Sequence, residues 1–282
     1  MDRESVINRI VEEALREDLG GGDITTDSIV PPEKKGHAHL LVKQDGVIAG
    51  LEIAAYVFYH VDPEVEIVFL HKEGDYIRAG TPVLEITGSL ASILKAERTA
   101  LNIVQRMSGI ASLTRAFVER IAGTSAKVTD TRKTAPGLRM LDKLSVSIGG
   151  GVNHRFGLDD MVLIKDNHIE AAGGIAIAIE RCLAEMSRRG LAMNVEVETK
   201  NLEEVKVALG FQGVNRIMLD NFSLEETRKA VALINHNVEV EASGNVTLDT
   251  VRAIAETGVD FISIGALTHS PKALDISLEV DS

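Results

Sequence analysis

This sequence of 282 residues holds one cysteine, Cys182. A lone thiol excludes an intrachain disulfide and a metal site built from several cysteines. In its alanine-rich helical stretch it reads as a small buried hydrophobe. Long apolar runs are missing too: none approaches the ~18 residues that a membrane helix needs. The first residues, MDRESVINRIVEEALREDLGGGD, are acidic and helix-like and do not read as a secretory signal. A cytoplasmic location with no membrane partner is therefore expected. Positive charge is in deficit, with 30 Lys and Arg against 42 Asp and Glu and a formal net charge of −12. Such a surface repels nucleic acid. Also absent are GxxxxGK[ST], HExxH and CxxC, and Gly149-Gly150-Gly151 lacks the GxGxxG spacing.

What is present suffices for a large core, since 45% of the residues are hydrophobic. The length fits two domains or one barrel with an addition. Val6, Ile7, Ile10, Val11, Ala14 and Leu15 recur at helical spacing and predict a helix over 4–19 that stops near Gly20-Gly21-Gly22. Asp23–Asp27 reads as a loop. From His37 to Thr87 the pattern is strand-like, broken by one helix around Leu51–Phe58. Part of it, Glu73-Gly74-Asp75 through Leu84, resembles the turns of biotinyl and lipoyl carrier modules, but the acceptor lysine at a hairpin tip is missing. A long helix follows from Ser89 to about Ala122, with Gly109 its weak point.

Beyond Lys127 the pattern becomes short strands alternating with helices. The strands are 127–131, 160–165, 194–199, 216–220, 238–243 and 261–265, and a short one at 149–153 would make seven. Alternation of this kind implies parallel strands with right-handed crossovers. The ends at 198, 220, 243 and 265 are spaced as β-α units of a barrel require. A doubly wound open sheet is the alternative. In a barrel the strand ends gather Arg132, Lys133, His154, Arg155, Lys165, Glu198 and Asp220 into one mouth.

The stretch from Lys127 to His168 is a basic island on this acidic chain, with seven Lys and Arg against five Asp. Converging Arg and Lys suit a ligand with several negative charges. Glu198 and Asp220 instead suit sugar hydroxyls, a Mg²⁺ ion carried by a phosphate ligand, or a developing positive charge. Ser243-Gly244-Asn245, leading to a helix that Thr247 can cap, and Ser263-Ile264-Gly265-Ala266 have the form of phosphate-binding turns. Lys165 at a strand end also admits a Schiff-base enzyme of the class I aldolase type.

Several of these motifs, in order, resemble nicotinate-nucleotide pyrophosphorylase, the carboxylating quinolinate phosphoribosyltransferase family. They are Gly20–Thr26, Ala96-Glu97-Arg98-Thr99-Ala100-Leu101-Asn102, Asp130-Thr131-Arg132-Lys133-Thr134, Gly150–Arg155, Ile164–His168, Leu219-Asp220-Asn221-Phe222 and Glu241–Asn245. The resemblance covers nearly the whole chain. It implies an N-terminal α/β sandwich domain over residues 1–110, with about 270–282 packing on it. An incomplete, about seven-stranded α/β barrel would occupy 111–270. It implies a homodimer and the Mg²⁺-dependent reaction of quinolinate with phosphoribosyl pyrophosphate. The products are nicotinate mononucleotide, pyrophosphate and CO₂, on the route to NAD.

Carried over by motif, Arg132, His154, Arg155 and Lys165 hold the quinolinate carboxylates, with Arg98 reaching in from the other subunit. Thr131 and Lys133 contact substrate, Glu198 and Asp220 serve the ribose and metal, and Ser243, Gly244, Asn245 and Gly265 take the 5′-phosphate. Lys133, Lys165, Glu198 and Asp220 are the catalytic candidates. Some relatives have Gly where Asn245 stands. A homologous transferase of the molybdenum-transport context, with another acceptor, shares these features.

Overall fold

A computed structural model describes residues 2–281. The apolar face of α1 (Arg3–Leu19) buries Ile10, Val11 and Leu15. Next comes α2 (Ile24–Ile29), where a loop was expected. It forms because the Asp23 carboxylate caps it, accepting the Thr26 N–H at 2.9 Å. The chain continues through β1 (Lys35–Val42), β2 (Gly46–Val47), α3 (Leu51–Val61), β3 (Glu66–Phe69), β4 (Tyr76–Ile77) and β5 (Thr81–Ser89) to the 31-residue α4 (Leu90–Arg120). After it come β6 (Lys127–Thr129), α5 (Arg139–Ile148), β7 (Val162–Ile164), α6 (Asp166–Ala172), α7 (Ile175–Arg189) and β8 (Val195–Thr199). The last part holds α8 (Leu202–Leu209), β9 (Arg216–Asp220), α9 (Leu224–Ile234), β10 (Glu239–Ser243), α10 (Val251–Ala255), β11 (Phe261–Ser263), α11 (Ala266–His269) and β12 (Ile276–Val280). None of the described helices is long and apolar enough to cross a membrane.

Two compact units result. The first takes the chain up to Arg115, Thr134–Gly150 and the residues from Ala266 on. Its antiparallel sheet has the order β12-β1-β5-β3, so the C-terminal strand pairs with β1. Leu40, Leu84 and Ile86 from the sheet share a core with Phe58 of α3 and Met107 of α4. The segment with α5 belongs to this unit, although its position in the sequence put it in the barrel. Leu141 is part of the first core, and Leu138, Met140, Leu144 and Ile148 pack on it. A bidentate pair fixes α5: Arg106 donates from Nε and Nη2 to Asp142 at 2.8 Å each, and Asp142 is wholly buried. At Gly109, the weak point of α4, another segment of the chain passes close by. A Cβ there would lie 2.2 Å from the Lys272 carbonyl oxygen.

The second unit, Ala116–Lys133 with Gly151–Gly265, is built on a six-stranded sheet of order β6-β11-β10-β9-β8-β7. All its pairings are parallel. The seventh strand is reduced to one parallel bridge, Thr129 with Val152, and among the described residues β7 does not pair round to close the barrel. Period-two alternation divides the central strands. Val195, Val197, Ile217, Leu219, Val240 and Ala242 form a buried apolar face, on the side covered by helices such as α8 and α9. The opposite face carries Glu196, Glu198, Arg216, Met218, Asp220, Glu239, Glu241 and Ser243. Parallel strands are normally apolar on both faces, so this charged face marks the working side of the sheet.

Candidate active site

A cavity of about 260 Å³ opens on that charged face, at the C-terminal strand ends of the second unit. Behind β6 it receives Thr131, Arg132 and Lys133; the Thr131 hydroxyl accepts the Lys133 N–H at 3.1 Å and tightens the turn. His154 and Arg155 follow the Val152 bridge, Lys165 follows β7, and Glu198, Asp220 and Ser243 end β8, β9 and β10. Leu163 and Met218 add apolar wall. Lys165 Nζ lies 3.5 Å from Glu198 Oε2, joining two neighbouring strand ends. Arg155 is 9% exposed and donates from Nη1 to the Met161 carbonyl at 3.0 Å. Its pKa is lowered first by burial and next by repulsion from Arg132. Two guanidiniums crowded at one cavity are relieved by an anion between them.

Beneath the cationic wall lies a buried acidic layer. Glu196 and Glu241 are both 0% exposed. His154 Nε2 sits 3.0 Å from Glu196 and 3.4 Å from Glu241, and Arg216 donates to Glu241 at 3.1 Å. Burial disfavours charge on His154, but hydrogen bonds and attraction from Glu196 and Glu241 prevail and raise its pKa to about 9. Glu196 moves up, mainly through desolvation and then through the charge of Glu241. At the other ring nitrogen the Arg155 N–H donates to His154 Nδ1 at 2.8 Å, which favours the neutral ring. The Asp130 carboxylate, itself buried, accepts the His154 N–H at 2.8 Å and fixes the loop. His154, Glu196 and Glu241 bring one donor atom each within 4.8 Å of one another, as a metal site would. The Arg216 charge already answers Glu241, however.

The turn after β10 has its own geometry. Gly244 has φ 103° and Asn245 φ 49°, both left-handed. The helix after them begins only at Val251 and has five residues. The sequence had suggested a helix N-terminus directly behind this turn; residues 246–250 separate the two instead.

A larger cavity, about 510 Å³, lies in the first unit. Its lining has four acids, Asp2, Glu4, Glu52 and Glu73, against Arg3, so it does not favour an anion.

Residues 23–108 match the family domain described as "Quinolinate phosphoribosyl transferase, N-terminal domain", and residues 110–279 match the corresponding C-terminal domain. The chain belongs to the quinolinate phosphoribosyltransferase family. It is 47% identical to a chloroplastic nicotinate-nucleotide pyrophosphorylase [carboxylating] of Arabidopsis thaliana, covering 98% of this chain and 83% of that one. A mitochondrial quinolinate phosphoribosyltransferase [decarboxylating] of Nicotiana tabacum is 45% identical, over 98% of this chain and 82% of the relative. Among solved structures, the nicotinate-nucleotide pyrophosphorylase of Francisella tularensis superposes with a TM-score of 0.93 at 39% identity, covering 100% and 98% of the two chains.

Nine of the expected site residues of this quinolinate phosphoribosyltransferase chain line the one cavity: Thr131, Arg132, Lys133, His154, Arg155, Lys165, Glu198, Asp220 and Ser243. Gly244 and Asn245 follow Ser243, and Gly265 follows the β11 end, without lining it. Arg98 stands on α4 of the first unit, exposed, its guanidinium 3.7 Å from Glu97. Within the basic island, Arg139 and Lys143 fall in the first unit, and Lys127 lies over the Phe261 ring at 5.8 Å. Sequence reasoning missed Glu196, Glu241 and Met218, whereas Ser263, part of the second expected phosphate turn, lines the cavity. The alternation in Val195-Glu196-Val197-Glu198 and Glu239-Val240-Glu241-Ala242-Ser243 was the available signal.

Proposed function

We propose that this chain is a decarboxylating quinolinate phosphoribosyltransferase. It transfers phosphoribosyl from phosphoribosyl pyrophosphate to quinolinate, giving nicotinate mononucleotide, pyrophosphate and CO₂ in NAD synthesis. The observation that carries the reading is the crowding of Arg132 and Arg155 at one cavity with Lys133 and Lys165. Two carboxylates on the acceptor and phosphates on the donor are the charges such a wall suits.

In this reading Arg132, Arg155 and Lys165 hold the quinolinate carboxylates, Thr131 and Lys133 contact substrate anions, and Leu163 and Met218 flank the ring. His154 was expected to hold a carboxylate directly. Its two nitrogens face Glu196 with Glu241 and the Arg155 N–H, so its proposed role is to position Arg155. Ser243, Gly244, Asn245 and Gly265 take the 5′-phosphate. Glu198 and Asp220 supply two carboxylates, too few to cage a resident ion but suited to Mg²⁺ that arrives on the diphosphate. When bound, that ion would neutralise charge on the departing pyrophosphate.

The ring nitrogen forms its bond to C1′ of the ribose as the C1′–O bond to pyrophosphate breaks. Positive charge grows on the sugar, and the carboxylates of Glu198 and Asp220 offset it. The ribosylated nitrogen is cationic, so it stabilises the electron pair left on the ring carbon when the adjacent carboxylate departs as CO₂. That carbon then takes a proton. Lys165, half-exposed and beside Glu198, lacks the apolar surroundings that favour a Schiff-base lysine.

The proposal includes a homodimer in which Arg98 of the partner subunit completes the cationic wall, and a cytoplasmic location, which cell fractionation checks. The purified chain, given quinolinate, phosphoribosyl pyrophosphate and Mg²⁺, should release CO₂ and nicotinate mononucleotide in equal amounts. Turnover of other pyridine acids but not quinolinate would instead favour the transferase with another acceptor.

A further inference from the structure

Asn221, next to Asp220, has no role in the chemistry above, yet the structure gives it an unusual position. Its backbone is left-handed, with φ 56°, a conformation in which asparagine is among the few tolerated side chains. Its N–H donates to the Ser243 carbonyl at 2.9 Å, tying the end of β9 to the end of β10. Its side-chain Oδ1 accepts Asn245 Nδ2 at 3.0 Å. Between these two bonds, the Asn221 amide lies against Gly244. A Cβ at position 244 would meet Asn221 Oδ1 at 2.2 Å and Cγ at 2.5 Å. Gly244 is thus required for its φ of 103° and also for the seat it leaves to Asn221.

We propose that Asn221 is a positioning residue for the phosphoribosyl donor: it braces the Ser243–Asn245 turn from the neighbouring strand end. The backbone bond fixes the start of the turn, the amide bond fixes its far side, and the packed glycine stops it from lifting. N–H groups held in advance toward a phosphate lose less freedom on binding than a turn that must be ordered by it. Because Asp220 is the preceding residue, the same brace sets the spacing between the ribose carboxylate and the 5′-phosphate. This inference rests on the reading that the turn binds that phosphate.

Asn221→Gly and Asn245→Gly remove the clasp while keeping a backbone that tolerates positive φ. Each should raise KM for phosphoribosyl pyrophosphate about fivefold to tenfold, as for one lost hydrogen bond. In Asn221→Gly, KM for quinolinate and kcat should stay within about twofold, the size of effect left when no bond to that substrate is lost. The double variant should be no worse than the worse single one, since both remove the same bond. Multiplying effects, equal rises in both KM values, or no rise in either single variant overturn the brace. Ser243→Asp, which sets a negative charge in the turn where a phosphate would lie, separates the two ideas. If it leaves KM for phosphoribosyl pyrophosphate unchanged, the phosphate reading of the turn fails; if it raises that KM while the asparagine variants do not, only the brace fails.

Discussion

His154 shows how much one side chain of this site depends on what lies beneath it. Glu196 and Glu241 hold its pKa near 9, above the 6.5 of an ordinary histidine. A raised histidine pKa stabilises the fold fully below about pH 6.5, and the contribution is lost as pH rises through about 9. Resistance to denaturant should accordingly fall between pH 7 and 10. In Glu241→Gln the fall should come at lower pH, and equal profiles for the two proteins would refute the assignment. Arg155 invites a second test. Its planar, buried guanidinium donates to Met161, and lysine cannot copy that fork. Arg155→Lys should raise KM for quinolinate by about tenfold or more, leaving that for phosphoribosyl pyrophosphate nearly unchanged, as steady-state kinetics with each substrate varied will show.

Elements in this chain are held as much by local exceptions as by periodicity. Asp142 and Arg106 join α5 to α4 through a wholly buried carboxylate. Asp142→Ala should cost about 3 kcal/mol or more, because it leaves a guanidinium without its counter-charge, and chemical denaturation measures it. A Gly109→Ala change sets a Cβ against the Lys272 carbonyl and should lower stability by about 1–3 kcal/mol. Both exceptions bear on what could be read in advance. The parallel strands of the second unit were legible because short segments with apolar residues at successive or alternate positions recur between helices and end in polar residues, and those ends supplied most of the cavity wall. α5 was not, since its buried side includes Asp142, Lys143 and Ser145, which imitate a solvent-facing stripe. Gly149–Asn153 looked like a strand but makes one bridge. Glu196 and Glu241 were hidden because charge in a central strand argues for exposure, and the Asn221–Asn245 bond spans 24 residues that no local pattern connects.

At the scale of the whole molecule, the proposed homodimer can be tested through its shared arginine. The cavity of one chain is lined by Arg132, Lys133, Arg155 and Lys165 but not by Arg98. If Arg98 of the partner subunit completes it, two inactive variants should rescue each other. Mixed after dissociation, Arg98→Ala and Lys133→Ala chains form hybrids with one intact site, recovering roughly a quarter of full activity in a random 1:1 dimer mixture. Recovery near zero would overturn the partner subunit's contribution of Arg98.

The sheet of the second unit stays open, and an open sheet leaves strand rims able to recruit extended chains. Here the β7 rim is three residues long, Val162–Ile164, and the opposite rim beyond β6 is masked at Thr129 by the Val152 bridge. So few unpaired N–H and C=O groups make a poor template for stacking one molecule on another. The missing strands give this enzyme an accessible mouth without creating a long adhesive edge.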